Sequence, residues 1–132
     1  MFPNHFDFTM PESLKETVII TAAAHQKSQY EFAAHARLAR QAGVSDATIK
    51  AIADGTAPNG LTGDEELLVR YTTELLEDKK ITDATFNAVQ EKWGVRGVVD
   101  VTTLIGHYLL VAQILAAFDV DLAPGMTAEL PV

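Results

Sequence analysis

A carboxylate and an imidazole lie four positions apart, as Glu31 and His35, in the stretch SQYEFAAHARLARQAGVS (residues 28–45). Residues at positions i and i+4 share one face of an α-helix, so their side chains can touch. A carboxylate beside an imidazole orients the ring and raises its pKa, which suits proton transfer near neutral pH. His35 is therefore a candidate general acid or base, with Glu31 as a candidate orienting acid.

The same residues also allow a structural interpretation. Ser28 and Glu31 have the spacing of a capping box, in which the third residue of a helix returns its side chain to the backbone amide of the N-cap residue. Glu31 would then bond the Ser28 amide, and His35 would be only a polar residue on a helix face. Spacing alone leaves both interpretations open.

The chain has three further histidines, and imidazole is the side chain whose ordinary pKa lies nearest neutrality. His5 falls in an N-terminal stretch that we expect to be mobile. His25 is expected to end the first helix, where its cationic form would favour the helix dipole. His107, beside Tyr108, either lines a pocket or packs in the core.

Other binding chemistry is sparse. Arg37 and Arg40 are candidates for binding a substrate carboxylate, although each can equally be a solvated helix residue. No His-x-x-x-His pair or acidic triad has metal-ligand spacing, so we predict no metal site. The sequence also lacks a phosphate-cradling glycine loop and a Gly-x-Ser-x-Gly elbow.

Composition excludes several function classes. With 132 residues, 48% of them hydrophobic, the chain can bury one core and form one domain. The net charge is −8 and the Lys and Arg residues form no cluster, which argues against nucleic acid and against an anionic membrane surface as partners. The absence of cysteine excludes disulfides, thiolate catalysis and cysteine-ligated metal. Because the N-terminal residues do not resemble a signal peptide, we expect a cytoplasmic protein.

The elements that must position these residues all read as helices. Ser or Thr followed three residues later by Glu predicts capping boxes at Thr9, Ser13, Ser28 and Thr62, while Ser45 and Thr82 are plainer N-cap candidates. No alternating strand pattern is present. The sequence predicts an all-α fold with about six helices, at 10–26, 29–42, 46–54, 63–78, 83–93 and 95–118.

The last of these helices carries no Asp, Glu, Lys or Arg over residues 101–118. A helix that is apolar on every side is either a membrane span or a deeply buried helix. It contains His107 and Gln113, acids flank it at Asp100 and Asp119, and no Lys or Arg follows it to set an orientation. We therefore expect no membrane insertion, and burial between subunits.

These patterns together resemble the carboxymuconolactone decarboxylase family. The family's core is a Glu, a short apolar gap, a His, an alanine-rich helix, the letters AGVS and an acidic helix start, which the chain matches over YEFAAHARLARQAGVSDATIKAI (residues 30–52). Residues 67–122 look like the C-terminal part of small cysteine-free members. The resemblance covers about residues 11–122 and implies a single domain over 1–132 with flexible termini.

The related alkylhydroperoxidase D-type proteins carry a relay of Glu, Cys, His, Cys and His. Setting the last His on His35 puts the Glu on Glu16, the first Cys on Ser28, the middle His on Tyr30 and the second Cys on Glu31. The outer Glu and His are present here and both thiols are absent. Peroxide reduction by that relay needs those thiols, so the resemblance does not extend to peroxidase activity.

The resemblance implies a cofactor-free, all-helical homotrimer or homohexamer with pockets near the subunit contacts. The implied activity is a carboxy-lyase or isomerase acting on a small organic acid or lactone. His35 would pass the proton and Glu16 or Glu31 would orient it. Tyr30 could donate a hydrogen bond to a developing oxyanion.

The remaining candidate substrate-binding residues are Ser28, His107 and Tyr108. The rival interpretation is a non-catalytic, oligomeric helical protein that binds a small molecule and derives from a peroxidase-like scaffold. The surroundings of His35 discriminate between the two. A solvent-open pocket with an acid in hydrogen-bond reach favours an enzyme, whereas a sealed ring bonded to backbone favours the rival.

Overall fold

The computed structural model describes residues 8–131, and within them all regular structure is helical. This confirms the predicted all-α fold. There are five α-helices, and a short π-helical segment, Glu74–Asp78, continues the fourth. The α-helices are α1 (Glu12–His25), α2 (Gln29–Gln41), α3 (Asp46–Asp54), α4 (Gly63–Thr73) and α5 (Asp83–Ala117).

The two predicted helices at 83–93 and 95–118 form one kinked element, α5. Gly94 has non-helical backbone angles inside it, with φ 73° and ψ −179°. A glycine adopts positive φ at little steric cost, so the helical path is interrupted at Gly94 and the chain bends there. The predicted boundary between the two helices is therefore confirmed, as a kink at Gly94.

The N-caps predicted at Ser45 and Thr82 are confirmed. The capping boxes predicted at Thr9, Ser13, Ser28 and Thr62 are wrong. The side chains of Ser45 and Thr82 accept hydrogen bonds from the amides of Thr48 and Thr85. Ser28 and Thr62 are N-cap residues but make no such bond. Helix α1 begins after Pro11, so Thr9 and Ser13 do not occupy the N-cap position at all.

Helix α1 lies at the centre of the fold and contacts α2, α3, α4 and α5. An almost unbroken run of α1 residues is buried because partners cover it on several sides. One apolar cluster joins α1 to α4 and α5, and includes Val18, Ile19, Leu68, Tyr71 and Ile105. A second cluster joins α1 to α2 and α3, and includes Ile20, Phe32, Ala36 and Ile49.

The chain after α5 returns to α2. The Gln29 side chain donates to the Leu130 carbonyl at 2.7 Å and accepts from the Leu130 amide at 3.1 Å. Leu130 is buried in the second apolar cluster. Arg40 donates to both carboxylate oxygens of Glu129, at 3.0 and 2.6 Å. The packed structure therefore extends beyond the predicted core limit at residue 122.

Helix α5 leaves one side uncovered. Successive helix residues are 100° apart, and Val95, Val99, Leu110 and Ile114 fall on the side opposite its buried residues. All four are at least half exposed. By length and composition α5 could cross a membrane, and 22% of its most apolar window is buried in the chain. Deep burial is thus not achieved within one subunit.

Candidate functional site

The predicted proton-transfer residue, His35, is bonded to an acid from another helix. Its Nδ1 lies 2.7 Å from Oε1 of Glu16, so α1 supplies the acid and α2 the imidazole. A carboxylate accepts hydrogen bonds, which means that Nδ1 carries the proton. The other ring nitrogen, Nε2, makes no hydrogen bond to residues 8–131. His35 can therefore use Nε2 toward an incoming molecule.

The two partners of this pair differ in how far their side chains are exposed to solvent. The side chain of Glu16 is 6% exposed and that of His35 is 17% exposed. Glu16 is held in place because α1 is packed on all sides, with Val18 and Ile20 in different apolar clusters. A buried carboxylate needs a hydrogen-bonded partner to offset its desolvation, and His35 provides one. The imidazole is neither sealed in the core nor bonded to backbone.

Tyr108 of α5 packs against the imidazole of His35. The rings of His35 and Tyr108 are 4.9 Å apart and nearly perpendicular, at 77°. Tyr108 makes a similar contact with His107, at 4.9 Å and 88°. Burial raises the pKa of the Tyr108 hydroxyl, and the negative charges of Glu16, Glu31 and Glu12 raise it further. The hydroxyl thus stays protonated at neutral pH and can donate a hydrogen bond.

Glu31 does not play either of the parts that its spacing predicts. It is 2% exposed, and neither carboxylate oxygen has a hydrogen-bond partner within the described part of the chain. The capping box fails because the Ser28 amide already donates to the Ala23 carbonyl, one helix earlier. No hydrogen bond joins Glu31 to His35 either.

Burial raises the pKa of Glu31 to about 7. An unpartnered carboxyl is costly to bury as an anion, so the neutral acid dominates just below this pH. Glu31 also lies close enough to Tyr108 for its charge to affect the pKa of that hydroxyl. It is therefore a second titratable acid beside the pair of His35 and Glu16.

The predicted substrate-binding residues are not all brought together. His107 and Tyr108 lie next to one another at the His35 site. Tyr30 makes no hydrogen bond or ring contact to the described residues, and it lines a cavity with Arg37 instead. Ser28 lines another cavity, between the start of α2 and the end of α5, which Tyr30 borders as well. The clearest cavities within residues 8–131 do not include His35 in their walls.

His25 lies apart from this site. It ends α1 as predicted, and its ring faces Thr73 Oγ1 at 3.4 Å and Glu77 Oε2 at 3.7 Å. Burial lowers the pKa of His25, and the opposing charge of Glu77 does not overcome this. The neutral ring is favoured, which differs from the cationic form that the helix-dipole argument predicts. His5 lies outside the described residues.

Sequence reasoning missed that Arg40 is bound by a residue of the C-terminal segment. Arg40 is bound by Glu129 and by Asp46, whereas Arg37 makes no ion pair or hydrogen bond to residues 8–131. Glu129 lies 89 positions from Arg40, and no local pattern signals such a contact. Among the described residues, no group of three or more His, Asp or Glu side chains is placed to hold a metal ion.

Comparison with known proteins agrees with the resemblance seen in the sequence. No curated protein and no solved structure matches the chain. The model of the carboxymuconolactone decarboxylase family matches residues 7–74, just over half of the chain. The matched part contains Glu16, Glu31 and His35 and ends before α5. By this match the chain belongs to the carboxymuconolactone decarboxylase family.

Proposed function

We propose that this protein is a cofactor-free lyase that decarboxylates a small organic acid or lactone by proton transfer at His35. The observation that carries the proposal is the bond of 2.7 Å between His35 Nδ1 and Glu16 Oε1, with Nε2 left without a partner in residues 8–131. An imidazole oriented by a carboxylate through one nitrogen is suited to deliver or accept a proton through the other.

In the proposed reaction the bond between the substrate carbon and its carboxylate breaks and carbon dioxide leaves. The electron pair remains on carbon and is delocalised into an adjacent carbonyl as an enolate. Protonated His35 then delivers its Nε2 proton to that carbon, and the Glu16 carboxylate stabilises the imidazolium before the transfer. The same groups would serve an isomerase, in which a proton is removed and returned at another carbon.

Tyr108 is better placed than Tyr30 to donate a hydrogen bond to the enolate oxygen. Its ring lies against His35, and its hydroxyl has a raised pKa that keeps it protonated. Glu31 is the second acid of the proposed site. With a pKa of about 7 it can change its protonation state near neutral pH.

We also propose that the working form is a homotrimer or homohexamer in which a neighbouring subunit closes the His35 site. The exposed apolar side of α5, formed by Val95, Val99, Leu110 and Ile114, is a surface that a second copy can cover. His107 borders this side and contacts Tyr108. The absence of His35 from the clearest cavities of one subunit fits a site that is completed on assembly.

The test is turnover of carboxymuconolactone, followed by carbon dioxide release, with wild-type protein and two histidine variants. His35→Gln should lower kcat/KM by about 10²-fold or more, the usual contribution of a general acid–base group. His25→Gln is the matched control and should keep wild-type turnover, since His25 faces Thr73 and Glu77. Equal activity of His35→Gln and wild type would refute the proposal.

The second candidate function is a non-catalytic protein that binds a small molecule. It is favoured by one observation, that a cavity of about 770 Å³ lies between α2 and the C-terminal segment and does not reach His35. Saturable ligand binding in a protein without turnover on any lactone or organic acid tested would support this second function over the first.

A further inference from the structure

A cavity of about 770 Å³ lies between α2 and the chain that returns after α5. Its α2 wall is formed by Tyr30, Ala33, Ala34, Arg37 and Arg40, and the opposite wall by residues 123–127 and Glu129. This volume falls in the range of small-molecule sites. The two alanines leave the floor open because their side chains are short.

The C-terminal wall is fastened to α2 at two places. Gln29 makes two hydrogen bonds with the backbone of Leu130, whose side chain enters the apolar core. Arg40 holds the Glu129 carboxylate with two hydrogen bonds. The segment is therefore held against α2 at these points, and the Arg40 guanidinium is occupied by two carboxylates, because it also donates to Asp46.

Two polar groups on the cavity wall remain available to a ligand. Arg37 makes no ion pair or hydrogen bond to residues 8–131, and the Tyr30 hydroxyl has no hydrogen-bond partner among them. Their seven-residue separation corresponds to about 10 Å along the helix axis. A guanidinium is a planar, bidentate donor that matches a carboxylate.

This cavity is separate from the His35 site. Arg37 is two residues after His35, which is about 200° around the helix, so the two side chains leave α2 on different sides. His35 does not line the cavity. We propose that the cavity is a second binding site, for a small organic carboxylate anchored by Arg37, with Tyr30 at its other end. An organic anion is favoured over inorganic phosphate because the floor between the two groups is apolar.

The test uses benzoate as the probe and benzamide as its uncharged counterpart. Titrations of the full chain are followed by heteronuclear NMR of backbone amides and arginine side chains. We expect saturable benzoate binding with shifts at Arg37 and residues 123–127, and at least tenfold weaker binding of benzamide. Arg37→Gln should weaken benzoate binding at least tenfold, while the exposed control Arg96→Gln should leave it within twofold.

Three results would overturn the inference. Equal weakening by Arg37→Gln and Arg96→Gln would show only general charge attraction. If His35→Gln lost benzoate binding and Arg37→Gln kept it, the carboxylate would bind at the proton-transfer site. Inorganic phosphate that binds as tightly as benzoate would exclude an organic-anion site.

Since Arg37 is exposed and unpaired in residues 8–131, its variant should unfold at the wild-type temperature.

Discussion

His35 Nδ1 lies 2.7 Å from Oε1 of Glu16, although the two residues are 19 positions apart and belong to different helices. The acid nearest in sequence, Glu31, is one turn from His35, and its carboxylate makes no hydrogen bond to residues 8–131. The packing of α1 against α2 therefore selects the acid that orients the imidazole. It also fixes the proton on Nδ1 and leaves Nε2 without a hydrogen-bond partner in residues 8–131.

Glu16→Gln should reduce turnover of carboxymuconolactone by about 10²-fold, because an amide can bond either imidazole tautomer and does not stabilise the imidazolium. The loss should appear in kcat rather than KM, since Glu16 acts through His35. The nitrogen-15 resonances of the His35 ring should show a mixture of tautomers in place of the Nδ1–H form.

The control for that variant is Glu12→Gln, one turn earlier on the same helix and exposed. It should keep wild-type kcat and an unchanged His35 ring spectrum. If Glu16→Gln behaved like Glu12→Gln in both measurements, Glu16 would have only a packing role.

Glu31 should make stability depend on pH in a defined window. Its pKa is raised from 4.5 to about 7 in the folded chain. Below pH 4.5 the group is protonated in both the folded and the unfolded state, so it has no effect on the pH dependence. Between pH 4.5 and 7 the unfolded state loses the proton first, so the free energy of unfolding falls as pH rises. Above pH 7 Glu31 is ionised in both states, and the free energy of unfolding stays lowered by the full cost of burying the charge.

Glu31→Gln removes this ionisation and should raise the free energy of unfolding at pH 8 by about 1–3 kcal/mol. Urea denaturation at pH 4 and pH 8 measures the effect, which should be much smaller at pH 4. The exposed control Glu91→Gln should change neither value. A wild-type chain whose stability rises between pH 5 and 7, with the same rise in Glu31→Gln, would contradict a raised pKa at Glu31.

The local features of this fold were predictable from the residue pattern, and the contacts between distant residues were not, apart from the one that the family resemblance implied. Helix periodicity and the N-caps at Ser45 and Thr82 depend on neighbours within one turn, so the residue pattern contains them. The resemblance supplied Glu16 as a partner for His35. Spacing favoured Glu31, because the i, i+4 rule considers only residues of the same helix. It contains no information on the Glu16 carboxylate, which α1 brings to His35.

The capping boxes show a second limit of local reasoning. Ser28 and Glu31 have the correct spacing, but the end of α1 takes the Ser28 amide through the Ala23 carbonyl. The return of the C-terminal segment to α2 was missed for a similar reason, since Leu130 and Gln29 are 101 positions apart. Such pairings follow from the order of helix packing, which a residue pattern does not encode.

Tyr108→Phe should lower kcat by about 10²-fold if the hydroxyl stabilises the enolate oxygen, the usual effect of removing one oxyanion donor. The ring contact with His35 is retained in phenylalanine, so thermal unfolding should change little. Steady-state kinetics of Tyr108→Phe and Tyr30→Phe side by side provide the measurement. A larger loss of kcat in Tyr30→Phe than in Tyr108→Phe would transfer the donor role to Tyr30.

The exposed apolar side of α5 should control assembly. In the double variant Leu110→Glu and Ile114→Glu, two carboxylates would have to be buried if a second copy covered this surface, and their desolvation disfavours association. Analytical ultracentrifugation should show a trimer or hexamer for wild type and a monomer for the variant. Phe86→Glu, a partly exposed position before the kink at Gly94, is the control and should keep the wild-type mass.

Activity distinguishes an assembly contact from a completed catalytic site. If a neighbouring subunit closes the His35 site, the monomeric double variant should lose turnover while the bond between His35 and Glu16 persists in its NMR spectrum. A wild-type chain that sediments as a monomer and still turns over substrate would contradict both parts of the assembly proposal. A monomeric variant with full turnover would show that the exposed side of α5 serves only in assembly. The whole reaction would then take place within one subunit.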